Sequence, residues 1–202
     1  MLLLGNRCQN RGEVRMKMLR TTWKYFMTVC RHKAVVYHEC QACGITWQGI
    51  VHDLSKFSRD EFISSAKYYC GDKSPHYQDA EENGYSSAWL HHKGRNKHHW
   101  EYWTDFNEED GSIKANKIPY KYVVEMVCDW IGAGKVYKST SWKQSEPLEY
   151  YNKVRIGRHF HLETELLIIT FLKCIKDEGL DEFHRMAKSI YTQIDYENGY
   201  LP

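Results

Sequence analysis

The chain has 202 residues, enough to bury one sizeable core and too few to demand a second domain. Its 28 Lys+Arg and 26 Asp+Glu leave a formal net charge of +2, too small to indicate a global electrostatic partner such as duplex nucleic acid, so any anion preference must be local. Seven cysteines, an odd number with no export signal ahead of them, argue against a full disulfide framework and for reduced thiols in the cytoplasm.

Met1-Leu2-Leu3-Leu4-Gly5 is too short an apolar run for a secretion signal, and its positive charges follow the run instead of preceding it. Residues 1–17 read as a basic, loosely ordered tail, which leaves 18–202 as the domain. Over 19–43 the apolar Trp23, Phe26, Met27, Cys30, Val35, Val36 and Cys40 keep helical spacing until Gly44 stops them, so His32 rides on a long helix. A short helix over 45–54 brings His52-Asp53 near its end. Ser58, an N-cap before Arg59-Asp60-Glu61, starts a third helix that runs to Tyr69. The stretch 71–84, rich in Asp, Ser, Pro, Asn and Gly, reads as a surface connection.

Residues 86–103 are helical with a bend near Gly94, and 105–117 form a polar loop. Pro119 opens a helix whose Val123, Met126, Val127 and Trp130 are spaced for burial, with Asp129 on or beside that face and Gly132 and Gly134 ending it. Three more helices follow over 147–154, 162–175 and 180–194. The longest apolar run, Leu166-Leu167-Ile168-Ile169-Thr170-Phe171-Leu172, falls short of the roughly 20 residues that cross a bilayer, so no membrane partner is expected. No segment reads as a strand, and the expected fold is a single-domain, all-α helical bundle.

Four of the 11 histidines, His91, His92, His98 and His99, crowd one short block, a density that solvated surface rarely shows. Adjacent imidazole and carboxylate at His52-Asp53 can share one metal ion, and an acid at Asp129 among apolar neighbours must be paired or metal-bound. Arg95, Lys93 and Lys97 can meet a phosphate, although for the two lysines a solvated face is the simpler reading. Trp100 and Trp103 can stack on a base but at that spacing suit a core better. Cys40-Gln41-Ala42-Cys43 ends a long helix and has no second CxxC, so these thiols, like Cys30, Cys128 and Cys174, read as buried small residues. His38 reads as a solvated histidine.

The order His32, His52-Asp53, the histidine block and Asp129 resembles the HD-domain superfamily of metal-dependent phosphohydrolases. His52-Asp53-Leu54-Ser55-Lys56 resembles the frequent HD-x-G-K form, with Ser55 where glycine is usual. His92-x-x-x-Asn96-x-His98-His99 is similar to uncharacterised bacterial and phage proteins related to HD domains, over about 19–130, leaving the helices over 146–195 as additions. The resemblance implies one or two divalent ions held by His32, His52, Asp53, His92, His98 and Asp129, with His99 serving a second ion and His91 behind the ligands. It further implies Asp53 as the group that positions water, Lys56 and Arg95 as phosphate contacts, and Asn96 beside them. Mn, Fe, Co, Ni and Zn all suit such a set, and Mg is allowed. The implied activity is hydrolysis of a small phosphorylated substrate, a nucleotide foremost. The alternatives are an HD-type di-iron oxygenase acting on a small organic substrate and a non-catalytic scaffold that binds a metal or a nucleotide.

Overall fold

The computed structural model describes residues 3–197, with side chains over 13–195 and at 197. Met1 and Leu2, the start of the short apolar run, lie outside the described residues. The elements are α1 (Leu3–Ala42), α2 (Thr46–Val51), α3 (Arg59–Lys67), α4 (Pro75–Asn83), α5 (Ser87–Arg95), β1 (Thr104–Phe106), β2 (Ile113–Ala115), α6 (Tyr120–Lys138), α7 (Glu146–Val154), α8 (Leu162–Asp177) and α9 (Leu180–Glu197). Among the described residues the protein is all-α apart from one small hairpin. Helix α1 begins at Leu3, so most of the segment expected as a loose tail has helical backbone. Among the described residues no helix is long and apolar enough to cross a membrane.

The chain divides into two compact units: the residues through Arg31 with Lys56–His92, and His32–Ser55 with the residues from Lys93 onward. The single domain expected over 18–202 spans both. In the first unit Tyr25, Val29 and Ala66 are buried, with Phe62 and Tyr69 packed against them. Ser58 caps α3 as its sequence foretells, its side chain accepting from Glu61 N. The stretch 71–84 is not a plain connection, because α4 occupies most of it. Its Pro75 stands in the first turn and Gly84 takes a left-handed φ of 81° at the end, so residues that resemble loop punctuation are the two caps of a helix. Ser64 of α3 donates to Asp79 of α4 at 3.2 Å, and Asn83 of α4 donates to the hydroxyl of Tyr68, the residue after α3, at 2.8 Å.

In the second unit α6 is enclosed on nearly all sides, with Val123 through Cys128 buried without a break. Around it lie Val36, Cys40, Tyr151, Phe171, Leu172 and Phe183, all fully buried, and Trp100 and Trp103 pack on the same core, as their spacing suggests. Cys40, Cys43, Cys128 and Cys174 are buried, while Cys30 is partly exposed. Glu39 of α1 is buried and accepts from Lys135 of α6 at 2.5 Å and pairs with His184 of α9 at 2.8 Å.

Two expectations fail in this unit for physical reasons. Gly132 and Gly134 do not end α6, which runs on to Lys138. They serve close approach instead, since a β-carbon at Gly132 would stand 2.5 Å from Val36 Cγ2 and one at Gly134 2.6 Å from Trp142 Nε1. The polar stretch 105–117 is not all loop, for β1 and β2 pair antiparallel with Thr104 opposite Ala115. Gly111 in a left-handed turn, at φ 71°, lets this short pair close.

Candidate metal centre

His32 enters the site from α1 because α2 can lie against that helix. A β-carbon at Gly49 would meet Tyr37 Cα at 2.9 Å and Tyr37 O at 3.1 Å, so only glycine permits the approach. Three residues later His52 ends α2, and Lys33 of α1 donates to the carbonyls of Ile50 and His52 at 2.6 and 2.8 Å. A lysine there satisfies carbonyls that the finished helix leaves open. The chain then turns sharply, and Asp53 takes φ 54°, one of two described non-glycine residues with positive φ. Aspartate tolerates this region better than most residues, and a held left-handed carboxylate is the sort of strain that collects at functional sites.

Asp129 arrives from α6 on the turn before Gly132, whose missing side chain lets α6 reach α1. His32 Nε2 lies 3.0 Å from Asp129 Oδ1 and 3.3 Å from His52 Nε2. Asp53 Oδ2 lies 3.4 Å from His52 Nε2 and 3.7 Å from His32 Nε2, and Asp129 Oδ1 is 3.5 Å from His52 Nε2. Ligands about 2.0–2.2 Å from one divalent ion are separated by roughly 2.8–3.6 Å at octahedral or tetrahedral angles. The five distances follow that range closely, only the widest lying outside. Facing Nε2 atoms need a shared proton or a shared cation between them, so His32, His52, Asp53 and Asp129 form a group that could hold a metal ion.

Behind these four stands Glu125, which the sequence shows one turn before Asp129 but which carries no motif of its own. Its Oε1 lies 2.9 Å from His52 Nδ1 and 3.1 Å from His98 Nδ1, and Gln48 donates to its Oε2 at 2.9 Å. His52, His98 and Glu125 also lie close enough to be grouped as ligands, yet the geometry favours hydrogen bonds. A carboxylate that receives Nδ1–H turns the opposite nitrogen of each imidazole toward a metal and fixes its tautomer. Lys33, Gln48 and Glu125 are the site residues that the motif reading misses.

Charge follows the same logic. Burial alone would lower the pKa of His52, but Asp53, Asp129 and Glu125 override it and push it up to about 10. Burial would raise Glu125, while His52 and His98 hold it at about 2. Against a similar burial penalty, His32 and His52 keep Asp129 well below the usual carboxylate range. Three carboxylates thus draw a proton onto a fully buried imidazole, and a divalent cation at the same point satisfies the same field with release of that proton.

The second oxygen of Asp53 faces His98. Oδ1 lies 3.4 Å from His98 Nε2, and Asp53, His98 and His99 have ligand atoms within 4.8 Å of one another. Asn96 donates to Ser55 Oγ at 2.8 Å and so joins the stretch before His98 to the residues after Asp53. Arg95 is exposed at the end of α5, and His38 is exposed on α1. In the first unit His92 and His91 share the buried Glu61, with Nδ1 atoms 2.7 and 2.8 Å from its two oxygens. His92 also stacks on Trp89, so its orientation is fixed from two sides. Lys56, half-buried in a 3-10 turn, belongs to that unit as well.

A helical protein with buried histidine–aspartate groups that could hold a metal ion is the class this fold and site define. The chain belongs to a family described as a family of unknown function (DUF5662), whose model matches residues 21–174. That span runs from the start of the buried part of α1 into α8, and includes each of the residues placed around Asp53. No curated protein and no solved structure matches the chain significantly.

Proposed function

We propose that the protein is a metal-dependent phosphohydrolase of the HD type, cleaving a phosphate ester of a small substrate, a nucleotide foremost. The observation that carries this reading is the convergence of His32 Nε2, His52 Nε2, Asp53 Oδ2 and Asp129 Oδ1 at mutual distances of 3.0 to 3.7 Å. A divalent ion held by these four residues would supply Lewis acidity and make a water acidic near neutral pH. Asp129 has the most solvent contact of the three carboxylates, its side chain 15% exposed against 1% for Asp53 and 5% for Glu125, so substrate approaches on its side. Asp53, held in place by its left-handed backbone, orients the attacking water and accepts its proton. Glu125 keeps His52 and His98 in one tautomer through the reaction. Lys56 and Arg95 are the phosphate contacts that the HD resemblance implies.

Protein purified without chelator should contain a stoichiometric divalent metal and hydrolyse at least one member of a panel of nucleoside mono-, di- and triphosphates, cyclic dinucleotides and an aryl phosphate. Full metal occupancy with no turnover of any of them would sink the reading. A second reading draws on Asp53 Oδ1, which turns toward His98 at 3.4 Å and allows a second ion beside the first. Two irons and oxygen consumption with a small organic substrate would favour the oxygenase.

A further inference from the structure

Between α7 and α8 the segment Arg155-Ile156-Gly157-Arg158-His159-Phe160-His161 carries two arginines, two histidines and no acid. The phosphohydrolase reading leaves it unused. Arg158 is half-buried in it and is held on two sides: its guanidinium carbon lies 5.1 Å from the centre of the Trp130 ring and 5.3 Å from that of Tyr150. One Nη2–H donates to the Tyr150 hydroxyl at 2.9 Å. No carboxylate pairs with it among the described residues, whereas Arg185 is closed by Glu182. A guanidinium has five N–H donors in a rigid plane, so most of this fork is still available. A planar cation positioned by two rings, with donors left over, suits a bidentate anion such as phosphate.

The segment packs on two tryptophans that neighbour residues of the metal centre in sequence. Trp130 directly follows Asp129, the most solvent-accessible carboxylate of the site. The next two residues of the segment, His159 and Phe160, lie 6.0 and 6.2 Å by ring centres from Trp100, which directly follows His99. One basic segment is therefore moored on both stretches that bring ligands to Asp53, all within the second unit. Contacts to Trp130 and Tyr150 restrict the Arg158 fork before any ligand arrives, which lowers the entropy lost on binding.

We propose that Arg158 is the anion fork of the site and takes a phosphate group of the substrate. This inference rests on the phosphohydrolase reading for its substrate class but can be tested apart from it. Binding of inorganic phosphate and of AMP to the full chain is measured by calorimetry, with and without Mn(II), and metal content is determined on the same samples. Arg158→Ala should weaken both ligands at least tenfold while metal content stays at the wild-type level. Arg158→Lys, which keeps the charge over Trp130 but lacks the fork, should fall between them and guards against a loss of fold in the alanine variant. Arg185→Ala should bind as wild type does. Unchanged affinity in Arg158→Ala, or no phosphate binding by the wild-type chain, overturns the proposal. Phosphate binding that depends on Arg158 in a protein that takes up no metal would leave the anion fork standing and remove the phosphohydrolase.

Discussion

Gly132 and Val36 touch so closely that a single β-carbon on the glycine would stand 2.5 Å from Val36 Cγ2. This contact sets the separation of α6 from α1, and with it the 3.0 Å between His32 and Asp129. Gly132→Ala should therefore destabilise the fold by about 1–3 kcal/mol, the usual cost of overpacking, and should weaken metal binding as well. Adding Val36→Ala restores the space and should recover much of both losses. Denaturant unfolding and metal titration of the single and double variants check it, and failure of the second substitution to rescue would show that the contact does not set the site.

Glu125 touches His52 and His98 on the side away from the proposed ion. Glu125→Gln keeps the shape but cannot accept from both imidazoles and Gln48 with equal strength. Metal affinity should fall about 10–100-fold while the helical circular dichroism is unchanged. Wild-type affinity in this variant would reduce Glu125 to a packing residue.

Asp53 sits at φ 54°, where a side chain is strained and glycine is not. Both Asp53→Ala and Asp53→Gly should lose the metal. The glycine variant should nonetheless be more stable than the alanine variant by about 1 kcal/mol, reversing the usual order of these two residues. Urea midpoints of the two metal-free variants decide this, and alanine proving the more stable would mean that the turn relaxes when the carboxylate is gone.

Burial would raise the Glu39 carboxyl, but His184 and Lys135 hold it below its ordinary value of 4.5. A folded pKa that is depressed gives stability that is present above the unfolded value and is lost as pH falls through the folded one. Stability should thus decline below pH 4.5 in the wild type. Glu39→Gln should be less stable near neutrality and show a flatter acid limb. Unfolding midpoints across about pH 3 to 7 give the comparison, and parallel curves would exclude Glu39 as the source.

Elements whose cause is local were legible from residue order. The spacing of Trp23 through Cys40 and the stop at Gly44 placed His32 on a long helix, Ser58 capped the helix it precedes, and Pro119 opened the helix that carries Asp129. Periodicity, caps and stops act through neighbours a few residues apart, so the chain itself states them. The order His32, His52-Asp53 and Asp129 was legible through resemblance, and the folded chain brings these residues together as a group that could hold a metal ion. What only the tertiary structure decided depends on distant partners. Gly132 looked like a helix end until Val36 explained it, and Pro75 and Gly84 looked like loop until the residues between them closed a helix against α3. Glu125 had no motif because its role exists only where Gln48, His52 and His98 converge on it. Arg158 carries no motif, since the rings of Trp130 and Tyr150 that hold it lie elsewhere in the sequence. Residue order records local preference, whereas the direction in which a side chain meets a partner far along the chain is set by packing.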